Sequence, residues 1–399
     1  MRILFLANNV LSRRDYERFG MPLMIKKGHR VDIIDVTRLI HPQVPQNRDH
    51  YPDLKEVAIH VAENVESLGS LTKIRDEADT IFSMFGSVGV EPNNVKIHKW
   101  LCAAPGTYVK PYCDTFPGNA RFKGEAKHIR ERVRDIRDRW RAGQISLSRS
   151  IMTRLPQSWM GVRMPDYVVY GGRRSPDTNR LHGRKTIPIW AHSYDYEIFR
   201  GLREEITGQT NTAVFIDEYL PYHPDLAVRG QEAPVDPDNY YACLRRFFDK
   251  VEATLGLEVV IAACPRADYD KRPDYFGGRR VVMFRSAELV AQSRLVIAHR
   301  STAINFAILF RKPLILTATR DIYRHSSQTP YFDGLAAALG KSIQFFDDAD
   351  DVDLSDPFAV DDALYERYVE DYIKTGQSPR APYWQIVVDC VNTSGIARI

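Results

Sequence analysis

Short apolar runs without polar alternation recur along almost the whole chain, each followed by a stretch with helical spacing. Strands that read this way are buried on both faces, which is the condition of parallel sheets covered by helices. The opening Ile3-Leu-Phe-Leu-Ala7 is the first such run. A helical stretch from Tyr16 to Lys27 and a strand from Arg30 to Val36 complete a β-α-β unit. Further strands are expected at Asp79–Met84, Asp166–Tyr170 and Thr186–Ala191. The polar stretch Gly208–Asn211 interrupts the pattern, which restarts with strands at Thr212–Ile216, Glu258–Ala263, Arg280–Phe284, Arg294–Ala298 and Leu314–Thr317. Between the first two of these, Asp236-Pro237 has the cap-then-proline signature of a helix start. Tyr240, Tyr241, Leu244, Phe247, Phe248, Val251 and Leu255 then keep a 3.6-residue period up to Gly256.

At 399 residues the chain exceeds what one core organises. The expected architecture is α/β, with two Rossmann-like domains at residues 1–208 and 209–375. A closing segment, 376–399, carries a candidate helix at Tyr383–Val391 that crosses back to the first domain. A composition 44% hydrophobic and 27% charged predicts folding nearly throughout. No run approaches the roughly 18 to 20 apolar residues of a membrane span. Ile3–Ala7 is too short for a secretory signal, so a cytoplasmic location is expected. The cysteines, at 102, 113, 243, 264 and 390, never form a CxxC pair, which argues against a disulfide framework and a structural zinc site. Asn8-Asn9-Val10-Leu11 occupies the turn where a dinucleotide site would show GxGxxG.

The net charge of +4 is uneven: residues 121–185 hold 17 Lys and Arg against 6 Asp and Glu. Within this region Ile129, Val133, Ile136 and Trp140 share one face of an expected helix, Lys127–Trp140, with the charges opposite. A docked helix with external ion pairs explains it. A peripheral contact with the anionic inner membrane, or with a lipid-diphosphate acceptor, is the functional alternative. Nucleic acid is not expected, since no aromatic-basic interleaving accompanies the charge.

Ligands of parallel α/β sheets bind outside the carboxyl ends of the strands. That edge collects Asp217 and Glu218, Cys264-Pro265-Arg266, Arg285-Ser286, His299-Arg300-Ser301-Thr302 and Thr319-Arg320 in the second half. In the first half it collects Asn8-Asn9, Phe85-Gly86, Gly171-Gly172-Arg173 and His192-Ser193-Tyr194-Asp195. The sharpest feature is a strand ending in His299-Arg-Ser-Thr302 that leads at once into a short apolar helix, expected from Thr302 to Phe310. Free backbone N–H groups, a positive helix end and two hydroxyls then face the crevice, which suits a phosphate.

The run Ala287-Glu-Leu-Val-Ala-Gln-Ser293, then Val296-Ile-Ala-His-Arg-Ser-Thr302 and Lys312-Pro313, resembles the donor half of GT-B glycosyltransferases. The resemblance implies that the second domain holds a nucleotide sugar, through Arg266, Arg285, His299, Arg300, Ser301, Thr302 and Asn305. Asn305 stands near where many members carry a ribose-gripping Glu. More narrowly, the chain is similar to proteins of bacterial capsule and O-antigen biosynthesis, including β-Kdo transferases that use a CMP-activated ulosonic acid. Such enzymes often place a His-Pro pair after a donor-domain strand; here the matching turn is Cys264-Pro265, and His223-Pro224 lies elsewhere.

Glycosyl transfer needs a carboxylate as base or nucleophile. Asp217 and Glu218 are the candidates, with Asp217 favoured. His192 is a candidate proton relay, and Asn8, Asn9, Ser193 and Asp195 are placed to meet the acceptor. No metal or other cofactor is implied, because a helix end and basic side chains can offset phosphate charge. A sugar-nucleotide epimerase of similar form, or a non-catalytic carbohydrate-binding protein, are the alternatives.

Overall fold

A computed structural model describes residues 1–9, 11, 13–42, 56–84, 90, 92–118, 157–177, 179, 182–206, 208–224, 226, 232–269, 274–324 and 328–396. The expected helix Lys127–Trp140 and the Phe85-Gly86 turn lie outside the described residues.

The first sheet has seven strands: β1 (Arg2–Ala7), β2 (Arg30–Asp35), β3 (Ala58–Val61), β4 (Thr80–Ser83), β5 (Thr107–Tyr112), β6 (Tyr167–Tyr170) and β7 (Ile187–Trp190). The second has six: β8 (Thr212–Ile216), β9 (Glu258–Ala262), β10 (Val281–Val282), β11 (Leu295–Ala298), β12 (Leu314–Ala318) and β13 (Ile343–Phe345). Their orders are 3-2-1-4-5-6-7 and 10-9-8-11-12-13. Every neighbouring pair is parallel. Each order reverses beside the domain's first strand, which opens a switch point at its carboxyl end. The central strands β1, β8 and β11 bury nearly every residue, as their uninterrupted apolar runs require.

Two local features depart from the sequence pattern. The helix expected over residues 16–27 is two helices, Arg13–Arg18 and Met21–Lys26, broken at Gly20. Gly20 has φ 64°, and a Cβ there would meet the Trp384 ring at 2.3 Å. Strand β5, absent from the strands expected above, lies inside the sheet between β4 and β6. Lys110 is fully buried, and among the described residues its amine reaches only the Ser83 carbonyl, at 3.5 Å. Burial lowers its pKa to about 7.

Three crossings join the domains. The helix Tyr194–Leu202 puts Tyr194 in the first core, while Tyr196 and Leu202 pack on the second. Its Phe199 meets Phe310 edge to face at 4.9 Å. Near the C-terminus, the helix Asp362–Tyr368 and the π-turn Val369–Ile373 pack on the second core. The helix Tyr383–Ile396 packs in the first core, with Trp384 against Phe5 and Phe82. The π-turn itself lies directly on Gly171-Gly172: Arg173 N–H donates to the Glu370 carbonyl and Arg174 N–H to that of Asp371, both at 2.8 Å. A Cβ on Gly172 would meet the Asp371 carbonyl at 2.3 Å. Gly171-Gly172, expected to line the crevice, are therefore covered by the protein's own backbone, while the exposed Arg173 pairs with Asp371 at 2.6 Å.

The third crossing follows β5. Phe116 enters the second core, and Gly118 meets the helix Thr329–Leu339 backbone to backbone. These contacts come from the carboxyl ends of β5, β6 and β7, so that edge of the first sheet faces the second domain and leaves the ends of β1 and β4 beside the crevice.

A methyl group at Gly334 would sit 2.4 Å from the Gly118 nitrogen. Gly334→Ala is therefore expected to lower stability by about 1–3 kcal/mol. Gly201→Ala, on a helix where a Cβ meets nothing within 4 Å, should instead gain up to about 1 kcal/mol. Thermal unfolding midpoints of the two variants check the contrast.

Candidate active site

Strand β11 is wholly buried and delivers the chain to the crevice at His299. The helix that follows begins at Ile304, later than its sequence suggests. Its first turn is tight: Ile304 N–H donates to the Ser301 carbonyl at 3.1 Å and Asn305 N–H to that of Thr302 at 3.0 Å. The turn thus exposes N–H groups ahead of the helix. Arg300 N–H donates to Glu218 Oε1 at 2.7 Å, and Ala303 N–H to its neighbour Ser301 Oγ at 3.3 Å. The N–H groups of Ser301 and Thr302 have no acceptor among the described residues. Ser301 is half-buried and Thr302 exposed. The Arg300 guanidinium lies over the Tyr331 ring at 5.3 Å, and its Nε is buried without a partner. Two unused amides, two hydroxyls and a guanidinium give this turn the kind of donors that could hold an anion.

The two carboxylates after β8 have different fates. Asp217 is buried and saturated: it accepts from Tyr219 N–H at 2.9 Å, Cys264 N–H at 3.2 Å and the Tyr269 hydroxyl at 2.7 Å. Burial pushes its pKa up to about 6 against those donors. Asp217 clamps the ends of β8 and β9 together, with its oxygens turned to those donors. Glu218 is half-buried on the margin of the anion seat, bound to the Arg300 amide.

Both candidate histidines are structural. His299 is fully buried, with Nδ1–H donating to the Thr317 carbonyl at 2.7 Å and Nε2 accepting from the Tyr240 hydroxyl at 2.8 Å. Burial lowers its pKa, so a neutral ring fills the core between Phe215 and Phe346. Only its backbone belongs to the crevice. His192 is equally buried, placed against the Ser193 carbonyl at 3.0 Å and the Ala381 carbonyl at 3.2 Å. Burial lowers its pKa despite the Glu197 carboxylate 3.3 Å away. It anchors the C-terminal crossing through the Ala381 carbonyl.

Four further expectations are redirected. Ser193 caps its own helix, accepting from Tyr196 N–H at 3.3 Å. Asn305 is buried and turned toward the first domain, where Nδ2–H donates to Asp195 Oδ2 at 2.9 Å, while its Oδ1 accepts from the Tyr368 hydroxyl at 3.2 Å. Asp195, raised by burial to about 6, is thus a domain-joining group. Arg320 is occupied by Asp347 and Asp351, at 3.7 and 3.2 Å.

The remaining candidates stay accessible. Asn8 is half-buried and Asn9 exposed at the end of β1. Arg266 is exposed beside His223, 3.1 Å from its Nε2, so the His-Pro pair that is remote in sequence stands at the end of β9. Arg285 is exposed at the end of β10, next to Phe284, which sequence reading passed over. Phe284 is 65% exposed and holds φ 59°. An exposed aromatic residue held in the left-handed region makes this position a candidate for function. Its position at the end of an apolar strand hides it, since buried and exposed aromatics look alike in sequence.

No protein-family model and no curated protein matches the chain in sequence. Solved structures do. CalG4, the calicheamicin glycosyltransferase, is 12% identical over 92% of both chains, with a TM-score of 0.50. MurG of Acinetobacter baumannii is 8% identical, covering 98% of this chain and 99% of its own, also with a TM-score of 0.50. The wall teichoic acid polymerase TagF is 10% identical, covering 100% of this chain and 90% of its own, with a TM-score of 0.51. At such identities the likeness is one of fold, and together with two parallel sheets of Rossmann order it shows that the chain has the GT-B architecture of two Rossmann-like domains.

Proposed function

We propose that the chain is a glycosyltransferase that moves a sugar from a nucleotide donor to a cell-surface glycan or its lipid-linked precursor. The observation that carries this reading is the pair of unused amides at Ser301 and Thr302, flanked by the Arg300 guanidinium and the Glu218 carboxylate. The donor phosphate binds at that turn, with Arg266 and Arg285 as further cationic contacts and Phe284 as an apolar surface for the nucleotide. Asn8 and Asn9 meet the acceptor from the first domain. In the reaction an acceptor hydroxyl oxygen bonds to the anomeric carbon, and its proton passes to Glu218. The bond from that carbon to the phosphate oxygen breaks, and the leaving nucleotide keeps the electron pair. Preorganised amides aimed at the developing negative charge lower this barrier.

A CMP-activated ulosonic acid such as Kdo is the donor to test first, on the strength of the resemblance to capsule and O-antigen enzymes. Among the described residues no helix is long and apolar enough to cross a membrane. Association with the cytoplasmic face of the inner membrane, through the basic segment 121–185, forms part of the proposal. Trp159, 77% exposed within that segment, is the kind of aromatic side chain that settles at a lipid interface.

A thermal-shift series with CMP, UDP, GDP and dTDP and their sugars tests the donor site. One nucleotide at 100 times its Kd should add about 2.7 kcal/mol of stability, and Arg300→Ala should weaken that binding by about 1.5–3 kcal/mol. Free nucleotide should be released only when acceptor is present; conversion of the sugar without acceptor would mark an epimerase instead. Glu218→Gln is expected to lower kcat by about 10²–10⁴ while nucleotide affinity holds, and full turnover in this variant would remove Glu218 from the chemistry.

A further inference from the structure

From Thr212 to Pro221 every residue is buried except Glu218, which stands half-buried between Asp217 and Tyr219. The chain turns at Tyr219, whose φ of 52° and ψ of 36° lie in the left-handed region. A bulky residue stays in that region only where its surroundings hold it.

Tyr219 is held from both of its ends. Its backbone N–H donates to Asp217 Oδ1 at 2.9 Å, which closes a tight turn around Glu218. Its hydroxyl donates to Asp268 Oδ1, on the loop after β9. Between these bonds the ring packs edge to face on Tyr269 at 5.1 Å and lies tilted against Tyr222 at 5.6 Å. Rotating Tyr219 out of the left-handed region would break one bond or the other.

The loop after β9 returns the contact. Tyr269 donates its hydroxyl to Asp217 Oδ2 at 2.7 Å, so residues 217 and 219 of one loop and 268 and 269 of the other are joined reciprocally. Glu218 is carried between the two anchored residues, and its carboxylate accepts from the Arg300 amide at 2.7 Å. Arg266, farther along the same pair of loops, has a tie of its own to His223 at 3.1 Å, so it does not depend on the Tyr219 hydroxyl.

We propose that Tyr219 is a positioning residue: through its left-handed turn and its bond to Asp268 it aims the Glu218 carboxylate at the Arg300–Thr302 turn. The role of Glu218 as proton acceptor rests on the glycosyl-transfer reading, whereas the aim of its side chain does not. Tyr219 itself is buried, so its influence on the reaction passes through Glu218.

Two variants of the full chain test this. Tyr219→Phe keeps the ring and removes the hydroxyl, and Asp268→Asn removes the charge that the hydroxyl meets. Hydrogen exchange at single-residue resolution, without substrate, should show the Arg300 amide exchanging about fivefold faster or more in both variants, because its acceptor is no longer held in place. With the donor that the nucleotide series selects, kcat should fall about tenfold or more in each variant while the KM for donor stays within about twofold. In a Glu218→Gln background the same substitutions should change kcat by less than about twofold, since the group that Tyr219 aims is already disabled. A purely structural role would lower kcat equally in both backgrounds. Equal losses there, or an Arg300 amide that exchanges as in the parent, overturn the proposal. If Tyr219→Phe does not fold, Asp268→Asn decides by the same measurements. If the parent transfers no sugar but the Arg300 amide loosens in the variants, the positioning of Glu218 stands and the glycosyl-transfer reading falls.

Discussion

A single buried hydrogen-bond chain sets how the two halves of this molecule meet. Asp195, in the first turn of a helix in one domain, accepts from Asn305 of the other, and Asn305 in turn accepts from Tyr368. All three side chains are buried, so an unmade bond at any link would cost about 1–3 kcal/mol. The chain spaces the carboxyl edges of the two sheets, and the crevice geometry follows from that spacing. The backbone laid over Gly171-Gly172 and the contact between Gly118 and Gly334 hold the same alignment without side chains.

Polar residues at the strand ends divide into two groups. Those pointing back beneath the edge, Asp217, His192 and His299, satisfy backbone and hydroxyl groups that would otherwise be buried without partners. Those pointing outward, Glu218, Arg266, Arg285 and the Arg300–Thr302 turn, keep access to the crevice. The first group makes the second possible, since His299 and Asp217 fix the ends of β11, β8 and β9 on which the outer residues ride. The proposed phosphate seat of backbone amides needs this rigidity, because its donors cannot shift to meet a ligand.

Much of the architecture was legible because buried parallel strands leave a periodic signature. Ile3–Ala7, Thr212–Ile216 and Leu295–Ala298 read as strands, and the Asp236 cap and Gly256 stop framed the helix Pro237–Leu255 where the structure has it. Strand β5 was hidden because Lys110 and Pro111 break the apolar run, and β3 and β13 because edge strands are only half-buried. The strand-end rule found the right edge but could not tell which side chains turn inward. His192 and Glu218 both follow a strand, and only tertiary packing decides that one is buried against Ala381 while the other reaches Arg300. Phe284 carried no sequence signal of its own: an unusual backbone angle is visible only in three dimensions.

The central claim is that the amides of Ser301 and Thr302 are unused in the protein because a substrate phosphate uses them. Hydrogen exchange followed at single-residue resolution, with and without a saturating nucleotide sugar, measures this directly. The account predicts that these two amides exchange at least tenfold more slowly in the complex, while the Arg300 amide, already bound to Glu218, changes little. A tightly bound nucleotide sugar that leaves both exchange rates where they were would contradict it.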